Sequence, residues 1–162
     1  MKRKIIFILA LLCSVAQGAW ADKWDGQSFE EPPIYYNREN PGTYFQVMIY
    51  NAAQLAYVFK HWDDSHVFKL EFFTHGLKVK KEYSEANYWL WTDIDMGDYE
   101  WIPLGRNSLT ITSYKGDFNG DGHTIRFKTS SVNRENQGLF AKIASSGSVH
   151  DLNVVCDITN DE

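Results

Sequence analysis

The sequence has few cysteines and no excess of basic side chains. Its 162 residues include two cysteines, Cys13 and Cys156, and its 16 Lys and Arg are outnumbered by 21 Asp and Glu. Nucleic acids and anionic membranes bind basic patches, so the net charge of −5 argues against both as partners. Once Cys13 is lost with a signal peptide, Cys156 has no partner within the chain, and the exported fold depends on its core.

Long apolar segments are also missing, so we expect no membrane span. The apolar run at residues 5–12 follows three basic residues and is too short to cross a bilayer. Ala19 and Ala21 place small side chains where a signal peptidase reads them, which predicts a signal peptide over residues 1–21, cleaved between Ala21 and Asp22. The mature chain then keeps 13 basic and 21 acidic side chains, a net charge of −8. We expect it to be secreted or held at the outer cell surface.

The mature chain divides into a leader and one domain. Residues 22–47 are rich in proline and polar side chains and predict an irregular leader or linker. The domain over residues 48–162 opens with a short helix, predicted at residues 51–62 by apolar side chains at helical spacing. Asn51 can cap its first turn, and Gln54 completes a capping box.

From about residue 66 the apolar period changes from helical to two. The candidate strands are HVFKLEFF, LKVKKEY, YWLWTDIDM, LTITSY, HTIRFKT and VHDLNVVCDI. In YWLWTDIDM, taken as one strand, Trp89, Trp91, Asp93 and Asp95 share one face. Short strands separated by glycine-rich corners are typical of a sandwich, a barrel or a β-solenoid.

The stretch GDFNGDGHTI opens like a calcium-binding loop. Asp117, Asn119 and Asp121 stand at alternate positions before Gly122. The twelfth position of such a loop needs a bidentate Glu, and this sequence has Lys128 there. Asn-Gly and Asp-Gly steps also tolerate positive φ. We therefore predict a tight corner between strands, and we expect neither a metal ion nor a cofactor.

Five motifs follow one another in the second half of the chain. They are DIDM at 93–96, WIPLG at 101–105, GDFNGDGHTI at 116–125, GLF at 138–140 and VHDLNV at 149–154. In this order they resemble the N-terminal portion of bacterial, Bacteroidetes-like secreted or surface proteins with right-handed β-helix, GLUG-type repeats. The resemblance covers about residues 49–158, and the asparagine and aspartate of the familiar FDGNGH step are exchanged here.

The resemblance implies an all-β fold, a short right-handed β-helix or β-solenoid with a small N-terminal α-helical cap. A solenoid needs about three stacked repeats to bury a continuous core, and these residues supply a cap and about two coils. We therefore expect either a truncated solenoid or an open end that something else covers.

The resemblance also implies an exported, non-catalytic, adhesin-like module that binds a glycan or a surface protein. We expect Trp89 and Trp91 to offer flat apolar faces to sugars, and Asp93 and Asp95 to accept hydroxyl hydrogen bonds. Two alternatives stay open. Paired carboxylates such as Asp93 and Asp95 are typical of glycosidases, so the chain could be the N-terminal part of a β-helix carbohydrate-active enzyme, a polysaccharide lyase or a glycosidase. It could also be a purely structural cap of a solenoid.

Overall fold

A computed structural model of the chain describes residues 23–36, 45–62, 69–74, 77–106, 110–130 and 136–159. This part is mostly β, with one α-helix. Its elements are β1 (Ile34–Tyr36), β2 (Phe45–Ile49), α1 (Ala52–His61), β3 (Lys69–Thr74), β4 (Leu77–Glu82), β5 (Asn87–Leu90), β6 (Ile94–Glu100), β7 (Asp117–Asn119), β8 (Thr124–Ser130), β9 (Ser148–His150) and β10 (Asn153–Thr159). In the described ranges, no helix is long and apolar enough to cross a membrane. The expected signal peptide lies outside them.

The helix α1 confirms the sequence-based prediction closely. The side chain of Asn51 accepts a hydrogen bond from the backbone nitrogen of Gln54 at 2.9 Å, as an N-cap should. The side chain of Gln54 reaches back to the nitrogen of Tyr50 at 2.7 Å, one residue before the cap. Leu55 and Val58 are buried on the face that lies against β2 and β6.

Five strands form the first sheet, in the order β1-β2-β5-β7-β9. The strand β1 is antiparallel to β2, and the other neighbours are parallel. Tyr88 pairs with Phe118, 30 residues later, and Phe118 pairs with Val149, a further 31 residues along. Parallel pairing at a nearly constant step means that each passage of the chain lies directly beside the previous one.

The second sheet consists of β10, β8 and β6, all parallel. Ile94 pairs with Ile125, and Ile125 pairs with Val154, so this sheet repeats the step of the first. Two isolated parallel bridges, Leu104 to Phe140 and Tyr114 to Ile143, extend the same stacking between the sheets. The strands β3 and β4 form a separate antiparallel hairpin.

The structure corrects the expectation that YWLWTDIDM is one strand. The chain leaves the first sheet after Leu90 and enters the second at Ile94. The reason is local packing: Leu90 and Ile94 are both fully buried, and Thr92 between them is only half-buried. VHDLNVVCDI is divided in the same way, at Asp151, whose φ is 51°. In the described part of LTITSY, residues 110–114, the chain forms isolated bridges and no strand.

The leader is partly ordered against the domain. The segment expected to be irregular supplies β1 and the start of β2. The backbone nitrogen of Trp24 donates to the carbonyl oxygen of Asp95 at 2.9 Å, and the Trp24 ring packs against the core. Residues near the amino end of the described chain therefore help to cover one side of β6.

Tyrosine and phenylalanine rings fill the space between the sheets. The Tyr114 ring stacks on Phe140 with centroids 4.8 Å apart, and its hydroxyl donates to the carbonyl of Ala86 at 3.0 Å. The Tyr88 hydroxyl donates to the carbonyl of Tyr83 at 2.8 Å. Burial raises the pKa of both the Tyr88 and Tyr114 phenols above their ordinary value of 10.

Candidate functional site

Four aromatic side chains lie on the outer surface of the first sheet, and we call them the aromatic face: Tyr35, Tyr50, Trp89 and Trp91. Met48 pairs with Trp89, and the nitrogen of Trp91 donates to the carbonyl of Ile49 at 3.0 Å, so β2 and β5 stay in register beyond their ends. This register places Tyr50 directly beside Trp91. Their ring centroids are 5.7 Å apart and their planes differ by 31°.

The two tryptophans continue this row along β5. Trp89 is on β5 and Trp91 directly follows it, and their rings lie beside each other. Their centroids are 6.3 Å apart at an interplanar angle of 33°. Trp91 is 51% exposed, whereas Trp89 is half-buried. The sequence-based prediction named this pair, and the structure brings the two rings together.

Sequence reasoning missed the two tyrosines of the aromatic face. Tyr50 is 40% exposed, and Tyr35, on the antiparallel strand β1, is 59% exposed. Desolvation raises the pKa of the Tyr50 phenol, and the neighbouring Tyr35 phenol adds to that rise. Tyr50 and Trp91 are 41 positions apart in the sequence, so only the strand register shows that they are neighbours.

The two predicted carboxylates lie at the corner and on the second sheet. The Oδ1 atom of Asp93 accepts a hydrogen bond from the nitrogen of Thr124 at 2.8 Å and lies 3.4 Å from Nδ1 of His123. The Oδ1 atom of Asp95 accepts from the nitrogen of Gly97 at 2.8 Å. Each carboxylate therefore holds backbone in place, and each has a structural task independent of any ligand.

The stretch GDFNGDGHTI forms a corner stacked on the following passage of chain. The side chain of Asn119 accepts from the nitrogen of Asp121 at 2.8 Å, and the nitrogen of Gly122 donates to the carbonyl of Asp151 at 2.7 Å. Asp121 and Gly122 have φ of 50° and 80°, the positive values that the sequence predicts for a corner. Among the described residues, no group of three or more His, Cys, Asp and Glu is placed to hold a metal ion.

A polar cluster that the sequence did not predict joins β7 to β9. The Asp117 carboxylate contacts the Ser148 hydroxyl and Nε2 of His150, the latter at 3.3 Å. Nδ1 of His150 lies 2.9 Å from the carboxylate of Asp151. Hydrogen bonds to Asp151 and Asp117 raise the pKa of the imidazole. The Ser148 hydroxyl contacts a carboxylate, where a nucleophilic triad would direct it to the imidazole.

An apolar cavity lies apart from these residues. It has a volume of about 450 Å³ and lies between the leader, α1 and the chain after β6, where Trp24, Phe59 and Ile102 form part of its wall. The Lys60 ammonium lies 4.3 Å above the Phe29 ring at its edge. None of Trp89, Trp91, Asp93 and Asp95 lines it.

Searches of protein-family models, curated proteins and solved structures find no significant match to this chain. The functional argument therefore rests on the geometry of the chain itself.

Proposed function

We propose that this chain is an exported, non-catalytic surface module that binds glycans through the aromatic face. The observation that carries the proposal is the row of rings from Tyr50 through Trp91 to Trp89, built across two strands and left partly open to solvent. A row of exposed rings on a rigid sheet is costly to leave in water unless something covers it.

For the fold, we propose a short right-handed β-helix. Two observations support this proposal. Parallel strands of the first sheet pair at steps of 30 and 31 residues. Connections between parallel strands of one sheet are almost always right-handed. The helix α1 would then be the cap at the amino end. In this arrangement the aromatic face lies along one side of the stack. Tyr35 and Trp89 are on β1 and β5, and Tyr50 and Trp91 directly follow β2 and β5.

The binding mechanism is stacking on preorganised rings. The C–H groups of a sugar ring carry a small positive charge, and the faces of Trp91 and Tyr50 carry a negative quadrupole. The Trp91 ring lies beside both Tyr50 and Trp89, and a ring already placed by its neighbours loses less conformational entropy on binding than a free one. Extended chains of linked sugars match a row of rings better than single monosaccharides do.

The ligand class follows from charge. The exported chain would carry a net charge of −8, with 13 basic and 21 acidic side chains, and Asp93 follows Trp91 by two residues in the sequence. A polysaccharide of uronic acids or sulfated sugars would be repelled, so the proposal specifies neutral glycans. Asp93 and Asp95 remain candidates to accept hydroxyl hydrogen bonds in addition to their backbone contacts.

The test is a panel of neutral and acidic polysaccharides, with affinity measured by calorimetry. Trp91→Ala and Tyr50→Ala should each weaken binding to a neutral glycan by about fivefold, within the range of one ring contact. Phe29→Ala is the matched control, because Phe29 is an exposed ring that lines the cavity beside α1, where no residue of the aromatic face lies. Equal affinities for all three variants and the unchanged protein would refute the aromatic face as the site.

The enzyme alternative is tested on the same samples. Release of reducing ends from any of these polysaccharides, abolished by Asp93→Asn or Asp95→Asn in protein that stays folded, would replace the binding proposal with catalysis. Binding without release of reducing ends supports the non-catalytic function.

A further inference from the structure

One side of the second sheet has no strand beside it within the described residues. The strand β10 is the last of three, and we call its unpaired side the open edge. Val154, Cys156 and Ile158 on β10 pair with Ile125, Phe127 and Thr129 on β8, and all three of those β8 residues are buried. Val154 is 49% and Ile158 63% exposed, and Cys156 is exposed too. The inward row of side chains therefore continues to β10 and is uncovered there.

The opposite side of this sheet is covered. The strand β6 lies against α1, and the carbonyl of Asp95 accepts a hydrogen bond from the nitrogen of Trp24 at 2.9 Å. The fold thus protects one end of the sheet with a helix and the leader, and leaves the other end as an edge with an apolar row. Unpaired edges of this kind are templates for another strand.

The backbone of β10 directs alternate residues to the open edge. The nitrogen of Asn153 donates to the carbonyl of His123, which lies on the β8 side. In a parallel pair, alternate residues turn their backbone groups to the same neighbour, so Val155 and Asp157 also face β8. Val154, Cys156 and Ile158 therefore present their N–H and C=O groups at the open edge.

We propose that a second copy of this chain docks on the open edge, with β10 antiparallel to β10 about a twofold axis at Cys156. The strand has seven residues and Cys156 is its midpoint, so this register uses its full length. It places Val154 opposite Ile158 of the second copy, and Cys156 opposite Cys156. The row is complementary to itself, as a twofold interface requires.

The charges on β10 favour this register over its neighbour. A twofold axis at Asp157 would place two carboxylates directly opposite each other, which destabilises a strand pair. With the axis at Cys156, Asp157 lies opposite Val155 and Asn153 lies opposite Thr159 of the second copy. Asp157 is the sole charged residue of β10, and the strand carries none of the lysines that commonly protect an edge.

The first experiment is sedimentation velocity of the purified chain over a concentration series. We expect a reversible dimer that Ile158→Lys abolishes, because a lysine in the apolar row would be buried without a partner. Ile158 is exposed at the end of β10, so a thermal melt should show that this variant stays folded. A chain that remains monomeric at every concentration overturns the proposal, whatever else covers the edge.

The register is tested by charge. Val155→Asp should weaken the dimer about tenfold, because the twofold axis creates two Asp–Asp pairs with Asp157. Val155→Lys, at the same position, should preserve or strengthen it by facing that same carboxylate. Equal dissociation constants for the two variants would rule out the axis at Cys156.

The cysteine supplies an independent readout. Opposed residues in an antiparallel pair have Cα atoms about 5.5 Å apart, within the range that a disulfide spans. Diamide should therefore oxidise two Cys156 thiols to one interchain disulfide, taking up their two protons and two electrons as it is reduced to the hydrazine. Covalent dimer should form in the unchanged chain and be lost in Ile158→Lys. If covalent dimer still formed in Ile158→Lys, the disulfide would come from random collision of exposed Cys156 thiols, and this result would count against docking.

Discussion

The Asp93 carboxylate accepts a hydrogen bond from the backbone nitrogen of Thr124, 31 residues later in the chain, at 2.8 Å. The donor is the first residue of β8, immediately after the corner of GDFNGDGHTI. The Asp93 side chain of the DIDM motif thus fixes where β8 begins. This structural contact is enough to explain an aspartate at position 93, without any ligand.

Removing that contact should lower stability measurably. Asp93→Ala leaves the nitrogen of Thr124 without its acceptor, and we expect the free energy of unfolding to fall by about 1 kcal/mol, since the site is partly exposed. Urea denaturation at neutral pH measures it. Asp93→Asn keeps an oxygen in place and should lose less. Asp98→Ala removes a fully exposed partner of Lys23 and should change nothing measurable, and a loss equal to that of Asp93→Ala would contradict the assignment.

The corner glycines should differ sharply in their tolerance of alanine. A Cβ atom on Gly120 would lie 2.5 Å from the carbonyl oxygen of Asp151 and 2.6 Å from Cα of Leu152, both in the adjoining passage of chain. Gly120→Ala should therefore destabilise by about 2–3 kcal/mol or prevent folding. A Cβ atom on Gly122 meets nothing within 4 Å, and its φ of 80° leaves only backbone strain.

Gly122→Ala is the matched control for that substitution. Its expected cost is about 1 kcal/mol, and Gly122→Asn should cost less, because asparagine tolerates the left-handed region. Thermal melts of the three variants provide the comparison. If Gly120→Ala were no more destabilising than Gly122→Ala, the close stacking of the corner on residues 151–152 would be wrong.

Stability should fall as the pH rises above 10. The folded chain keeps the phenolic protons of Tyr88 and Tyr114, because burial raises the pKa of both, whereas the unfolded chain releases them near pH 10. The native state then binds more protons than the unfolded state, so unfolding becomes easier with each rise in pH. Below pH 10 both states are protonated and the effect is absent.

Urea titrations on either side of pH 10 measure this slope. Tyr114→Phe should make the slope shallower while lowering stability at neutral pH, because the carbonyl of Ala86 loses its hydroxyl donor. An unchanged slope in Tyr114→Phe would mean that its phenol is not retained in the protonated form.

Local patterns in the sequence predicted local structure well. The cap at Asn51, the apolar face of α1 and the alternation of HTIRFKT all arise from contacts within a few residues, and the structure confirms them. The corner at Asp121 and Gly122 is confirmed for the same reason, since positive φ is a property of the residue type. These elements also account for the fold class in its broad form, which is mostly β with one helix.

The periodicity of apolar residues could not predict contacts between segments that are distant in the sequence. An alternating pattern shows which side chains share a face only while the strand is straight, and YWLWTDIDM bends after Leu90, so Asp95 lies on a different sheet from Trp89. Tyr50 joins Trp91 through a register between strands, and β1 forms by pairing with β2 across residues 37–44, which lie outside the described ranges. No pattern within one segment contains that information.

The glycines at the corners differ in how much free space surrounds them, and this decides where the chain can accept an insertion. Cβ atoms on Gly116, Gly120 and Gly147 would each lie within 2.5 Å of a backbone oxygen, whereas Gly122 faces open solvent. An inserted loop would therefore be accommodated at Gly122 and rejected at the other three. Among these four glycines, variation over evolution should therefore accumulate at Gly122, and a protein engineer choosing among them where to graft a peptide should begin there.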